Sequence, residues 1–247
     1  LKIITVFLLL TSNSNSEVSQ KLSEYISNII PGEGHTEASI DLRENNKPDF
    51  SILAVRELKK NDNGNYFSQL SLFSTEKEND DRIVGNLGLG KRTLSEDKLL
   101  MTGLNAFFDF DDHGNIRSSL GVEVRNAVLE LTYNQYKKLA EGTGERVLDG
   151  YDLRLASQIP YFHWANAFIN AYSWDGVDRD DVDGKILGSE FLLNPNFNLE
   201  LGYDDKDKAG VEDEWYAKLQ FTYPPREGAT AQDGISDTMW KEQKDMT

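Results

Sequence analysis

The chain has no cysteine, three histidines and three methionines among 247 residues. Without cysteine there is no disulfide framework and no thiol chemistry. Positive charge is short as well: 26 Lys and Arg stand against 42 Asp and Glu, a net charge of −16. Such a chain repels phosphate backbones, which argues against nucleic acid as a partner. Nowhere do about 18 apolar residues follow one another, so no membrane-crossing helix is predicted. Hydrophobic residues make up 38%. That is below the usual globular share, yet ample for one large all-β domain or two ordinary domains.

Catalytic signatures are missing too. His35, His113 and His163 are scattered, and no Gly-x-Ser-x-Gly is present. A nucleophile site of the kind a membrane phospholipase needs is therefore not expected, and the chain reads as no enzyme. The stretch "DRDDVDGKILGSE" mimics a calcium loop at Asp181, Asp183, Gly184 and Glu190. Its first position is Arg179, the wrong charge, so it reads as an acidic loop. "LGLG" lacks the third glycine and the strand–helix setting of a dinucleotide site; its glycines read as aids to close packing. No metal and no cofactor is expected.

At the N-terminus, "LKIITVFLLL" followed by "TSNSNSE" has the shape of a secretory signal peptide over residues 1–16, with a small-x-small site at Ser14–Ser16. A buried N-terminal strand or helix is the alternative. The chain begins with Leu rather than Met, so the true start is open. Residues 17–34 read as a short helical or irregular lead. Val18, Leu22, Tyr25, Ile26 and Ile29 share one helical face, and Pro31 stops it.

Beyond Gly34 the period becomes strand-like. Twelve strands are predicted, at 35–43, 49–58, 65–74, 82–92, 98–110, 115–125, 127–137, 149–159, 163–174, 185–193, 196–204 and 214–223. Most have the length of a tilted membrane-crossing strand, and the number is even. Connections after odd strands ("TEKENDD", "KLAEGTGERVL", "DGVDRDDVDG", "DDKDKAGVED") are long and mostly acidic. Those after even strands ("TLSED", "PYF", "NP") are short, with "KKNDNGN" an exception. An outer-membrane barrel sorts its loops this way, with short turns at one end.

One face of each strand is oily. Leu100, Thr102, Leu104, Ala106, Phe108 and Phe110 oppose Gly103, Asn105, Phe107 and Asp109. Ile116, Leu120, Val122 and Val124 oppose Arg117, Ser119, Gly121, Glu123 and Arg125. A half-buried soluble sheet alternates in the same way. The polar face argues for a lumen, because it mixes small residues with arginines and carboxylates that can pair across it. The apolar stripes carry no mid-strand charge, as lipid requires. The expected lumen-lining residues are Arg92, Asn105, Arg117, Glu123, Arg125, Asp152, Arg154, Glu190, Glu200 and Lys218. The aromatics gathered near strand ends, Phe108, Phe110, Trp164, Trp174, Trp215, Phe221 and Tyr223, are expected to form membrane girdles.

Two blocks are more specific. "YFSQLSLFSTEKENDDRIVGNLGLGKR" and "LLMTGLNAFFDFDDHGNIRSSLGVEVR" carry Phe67, Gln69 and Ser71, then Asn86 to Gly90 with Lys91 and Arg92. Gly103 to Asp109 and Leu120 to Glu123 follow. Together with "LELTYNQYKKL", "GYDLRLASQIP" and "LQFTYP", they resemble the β-domain of the inverse autotransporters, the intimin and invasin family, from about Glu37 to Pro224. The resemblance implies a twelve-stranded antiparallel transmembrane β-barrel over 35–223, in the outer membrane of a Gram-negative bacterium. It implies a translocator and anchor that displays a C-terminal passenger for adhesion, with a linker threading the lumen. The implied partners are outer-membrane lipid, the barrel-assembly machinery, periplasmic chaperones and the passenger segment itself. Here only the polar stretch 224–247 follows Tyr223, read as a tail or the start of a linker, with no passenger domain in it. A diffusion channel and a soluble β-sandwich or lectin-like module are the other readings.

Overall fold

The computed structural model describes residues 32–44, 47–77, 80–144, 146–176, 181–207 and 212–225. The expected signal peptide, nearly all of the expected lead and nearly all of the stretch 224–247 lie outside the described residues. The order is β1 (Gly34–Arg43), β2 (Asp49–Asn61), β3 (Gly64–Lys77), β4 (Asp80–Leu94), β5 (Met101–Asp111), β6 (Ile116–Arg125), β7 (Leu129–Ala140), β8 (Gly150–Ile159), β9 (Phe162–Trp174), β10 (Val182–Asn194), β11 (Phe197–Asp207) and β12 (Glu214–Tyr223). Each strand pairs antiparallel with its sequence neighbours. β12 closes on β1, from Thr36 opposite Tyr223 to Arg43 opposite Tyr216. Closure leaves no edge, so every strand has a hydrogen-bonded neighbour on both sides.

Burial is inverted relative to a soluble domain. Ser39, Ser71, Arg82, Ser119, Glu123, Asn198, Asp204, Glu214 and Thr222 are buried, while Leu104 and Leu120 are 64% and 68% exposed. Large apolar side chains standing outward all round a closed barrel need an apolar solvent, which a bilayer supplies. Among the described residues no helix is long and apolar enough to cross a membrane. The strands cross instead.

Two expected connections turn out to be strand. β2 runs to Asn61, leaving a two-residue turn before Gly64 in place of "KKNDNGN". The hairpin of β3 and β4 stays paired to Lys77 opposite Asp80, where "TEKENDD" was expected as a loop. Acidic side chains can be solvated above the membrane while the backbone ladder continues beneath them, so polarity alone does not end a strand. The opposite error occurs at β5, which starts at Met101 rather than at 98. There Asp97 accepts the Leu99 amide at 3.1 Å, Ser95 Oγ accepts the Leu100 amide at 3.0 Å, and Lys98 takes φ 58°. Local side-chain bonds hold these residues in a turn.

β1 starts and β12 ends at the same end of the barrel, where the connections 62–63, 95–100, 126–128, 160–161 and 195–196 also lie. The other end carries the residues that flank the connections after odd strands, among them 141–144, 146–149 and 175–176.

Candidate functional site

The site is the lumen wall, and it is built from a repeated stack. Gly90 on β4 has no side chain, so the Phe67 ring from β3 lies flat over it; a Cβ there would overlap the ring. The Arg92 guanidinium sits 4.4 Å from the Phe67 centroid, and Nε donates to Glu123 Oε1 at 2.7 Å. Glu123 in turn occupies the space a Cβ on Gly103 would fill. The order is glycine, ring, arginine, carboxylate, and each layer satisfies the next.

The same order recurs around the barrel. Gly188 seats Phe168, Arg154 lies 3.7 Å above that ring, and Arg154 pairs with Glu190. Gly202 seats Tyr216, whose hydroxyl donates to Glu200 at 2.6 Å. Arg43 lies 5.2 Å from the Tyr216 centroid and donates to Glu214 at 3.1 Å. Gly150 seats Trp174, which packs 5.1 Å from Tyr136. Arg117 covers both rings, at 4.5 Å from Tyr136 and 5.0 Å from Trp174, and pairs with Asp109 at 2.9 Å. Phe107 over Gly88 and Tyr172 over Gly184 are seated the same way. The consequence is spatial: large rings lie along the wall instead of across the axis.

All ten expected lumen residues stand on the inward face. Arg92, Arg117, Glu123, Arg154, Glu190 and Glu200 belong to the stacks above. Arg125 pairs with Glu130 at 2.5 Å. Asp152 accepts from Tyr136 at 2.6 Å and from Asn134 at 3.1 Å. Lys218 is in register between Asp41 and Glu200. Asn105 faces Gly121 beside Asn134, and its Oδ1 is buried without a hydrogen-bond partner. Asn86 Oδ1, Asn170 Oδ1 and both amide atoms of Asn65 are likewise buried and unpaired.

The girdle residues divide. Phe108, Phe110 and Trp215 are exposed outward near the long-connection end. Trp164, exposed on the outside, packs on Phe162 and Phe191 at the short-turn end, where Phe221 meets Phe197 and Tyr223 follows two residues on. Trp174 is a correction: it faces the lumen, over Gly150 and under Arg117. A tryptophan at a strand end suits either side; the glycine across the sheet decides which side has room. The girdle pattern therefore did not reveal the inward rings Phe67, Tyr136, Phe168 and Tyr172. A glycine in register on the next strand was the signal that could have found them.

Other candidates resolve plainly. Asp183, Gly184 and Glu190 lie within β10, with Glu190 committed to Arg154, so they form no calcium loop. Asp111, Asp112 and His113 bring three ligand-type atoms together at the β5–β6 turn. Both Asp111 oxygens are already engaged there: Oδ1 accepts the His113 and Asn115 amides, and Oδ2 accepts from Arg82 and the Asn115 side chain. That pattern is a turn clamp. Outside the membrane, the Asp149 carboxylate at the β7–β8 connection is held below the usual carboxylate range by its bond from Lys137 and by the Lys138 amide.

The family model described as inverse autotransporter, beta-domain, matches residues 8–247. Among solved structures, a membrane protein from a study of in-meso crystallisation superposes with a TM-score of 0.65 at 19% identity, covering 76% of this chain and 83% of that one. An outer-membrane channel from Pseudomonas putida F1 gives a TM-score of 0.54 at 10% identity over 78% and 97% of the two chains. Outer membrane phospholipase A from Escherichia coli gives 0.51 at 8% identity over 81% and 96%. At these identities the structures share the fold alone. No curated protein sequence matched.

Proposed function

Because the chain belongs to the inverse autotransporter β-domain family, we propose that this outer-membrane barrel is a non-catalytic translocator and anchor whose lumen carries the segment following Tyr223. The short-connection end would face the periplasm. A passenger attached downstream would be displayed outside for adhesion, and barrel-assembly machinery and periplasmic chaperones would insert the wall.

The observation carrying this reading is the combination of exit point and wall. β12 ends at the same end as the start of β1, so the following chain sets out beside the lumen mouth. The wall it meets is polar, and its rings are folded back on glycines, so they leave room along the axis for an extended polypeptide, whose free N–H and C=O groups need polar surroundings.

The test exploits the absence of cysteine. Asn105→Cys is combined with single cysteines introduced along 226–240, and cells are oxidised. A disulfide-linked loop band at some tail positions is expected, together with labelling of an epitope placed after Thr247 on intact cells. No cross-link, with the epitope reached only after the outer membrane is permeabilised, would refute the conduit. The same polar wall favours one alternative, a diffusion channel. Steady single-channel conductance that is unchanged on deleting 224–247 would select it.

A further inference from the structure

The lipid-facing side of β4 is apolar through Ile83, Leu87 and Leu89, and the next outward residue is Lys91. Lys91 is in register with Tyr66 on β3, and Tyr66 with Lys59 on β2. All three are exposed, and Lys91 Nζ lies 5.5 Å from the Tyr66 ring centroid. The row continues to Leu104 on β5 and contains no carboxylate.

A backbone irregularity puts Lys59 in this row. Glu57 is opposite Phe67 on the lumen side. Regular alternation would send Lys59 inward as well. The bulge between Glu57 and Lys59 adds one residue, so Lys59 meets Tyr66 and turns outward, and Leu58 stands 58% exposed beside it. Bulges re-aim side chains in this way. Adjacent strands are about 4.8 Å apart, so the two lysine Cα atoms lie about 10 Å apart across Tyr66. Two flexible four-carbon stems span that gap to a common point. An ammonium pair at the rim of an apolar band lies at the depth of lipid headgroups.

We propose that Lys59, Tyr66 and Lys91 form a binding site for the phosphate of an anionic glycerophospholipid, with its acyl chains along Leu58, Leu89 and Leu104. The site requires only that the barrel sit in a bilayer. It does not depend on what the lumen carries.

The full chain in detergent is titrated with phosphatidylglycerol, phosphatidylcholine or inorganic phosphate, and bound lipid is counted by native mass spectrometry. Heat-modifiable mobility verifies the fold of each variant. One retained phosphatidylglycerol is expected, with phosphatidylcholine much weaker and inorganic phosphate unable to displace it. K91Q should raise the half-saturating concentration about fivefold and K59Q/K91Q about thirtyfold. K59R/K91R should bind like the unaltered protein, and K185Q, an exposed lysine toward the other end of the wall, should change nothing. Unaltered binding by K91Q and K59Q/K91Q, an equal loss in K185Q, or equal binding of both lipids would overturn the site. Displacement by inorganic phosphate would overturn the lipid assignment.

Discussion

Gly88 offers the sharpest test of the idea that lumen glycines are seats for rings. A methyl group there overlaps Cδ1 and Cε1 of Phe107, its register partner on β5. Gly88 is not among the glycines with positive φ, so alanine fits the backbone. In a strand, replacing Gly by Ala by itself gains about 0.5–1 kcal/mol, because glycine loses more freedom on folding. Against that stands the displaced ring. Overpacking of this kind costs about 1–3 kcal/mol, so Gly88→Ala should be neutral to about 2.5 kcal/mol destabilising. With Phe107→Ala in the background the ring is gone, and only the gain remains. The two substitutions should therefore couple by about 1–3 kcal/mol in a double-mutant cycle. Urea titration of the four proteins in lipid vesicles, read by heat-modifiable mobility, measures this. If Gly88→Ala has the same effect in both backgrounds, the glycine is not a seat and the stacks lose their physical basis.

On the outer face, Leu120→Arg should block membrane assembly, since a charge near mid-bilayer costs roughly 2–4 kcal/mol, and Leu104→Arg, in register with the outward Lys91, should impair it less. Asn105→Arg, one residue along but inward, should be milder, and equal tolerance of all three would contradict the register. Truncation at Ala217 should abolish insertion, because β12 loses its pairing from Lys218 to Tyr223 with β1 and from Lys218 to Phe221 with β11, whereas removal of 224–247 should leave a heat-modifiable barrel. A shifted band from the 217 truncation would take β12 out of the wall. Asp149, its carboxylate held low by Lys137, contributes stability that is fully present above an unfolded value of about 4 and is lost as pH falls through the lower folded value. The gap in thermal midpoint between Asp149→Asn and the unaltered protein should accordingly shrink from about pH 5 toward about pH 2; a constant gap would mean that the ion pair contributes nothing.

The sequence by itself determined the wall. Side-chain alternation has a period of two, so a run such as "MTGLNAFFDF" assigns every residue to a face once one residue is assigned. Glu123, Arg154 and Glu190 were legible as lumen residues because a charge mid-strand in lipid is costly. Strand ends were less legible. Hydrogen bonding to a neighbour extends β3 and β4 beyond their apolar stripe, and that pairing is not local information. Only the tertiary structure decided what lies across the sheet. That Gly90 meets Phe67, that Gly150 draws Trp174 inward, and that Arg117 covers Trp174 and Tyr136 at once all depend on the register between strands. The bulge that turns Lys59 toward lipid is of the same kind. Periodicity reports the face a side chain takes within its own strand; the partner strand's register sets whether there is space for it and what it touches there.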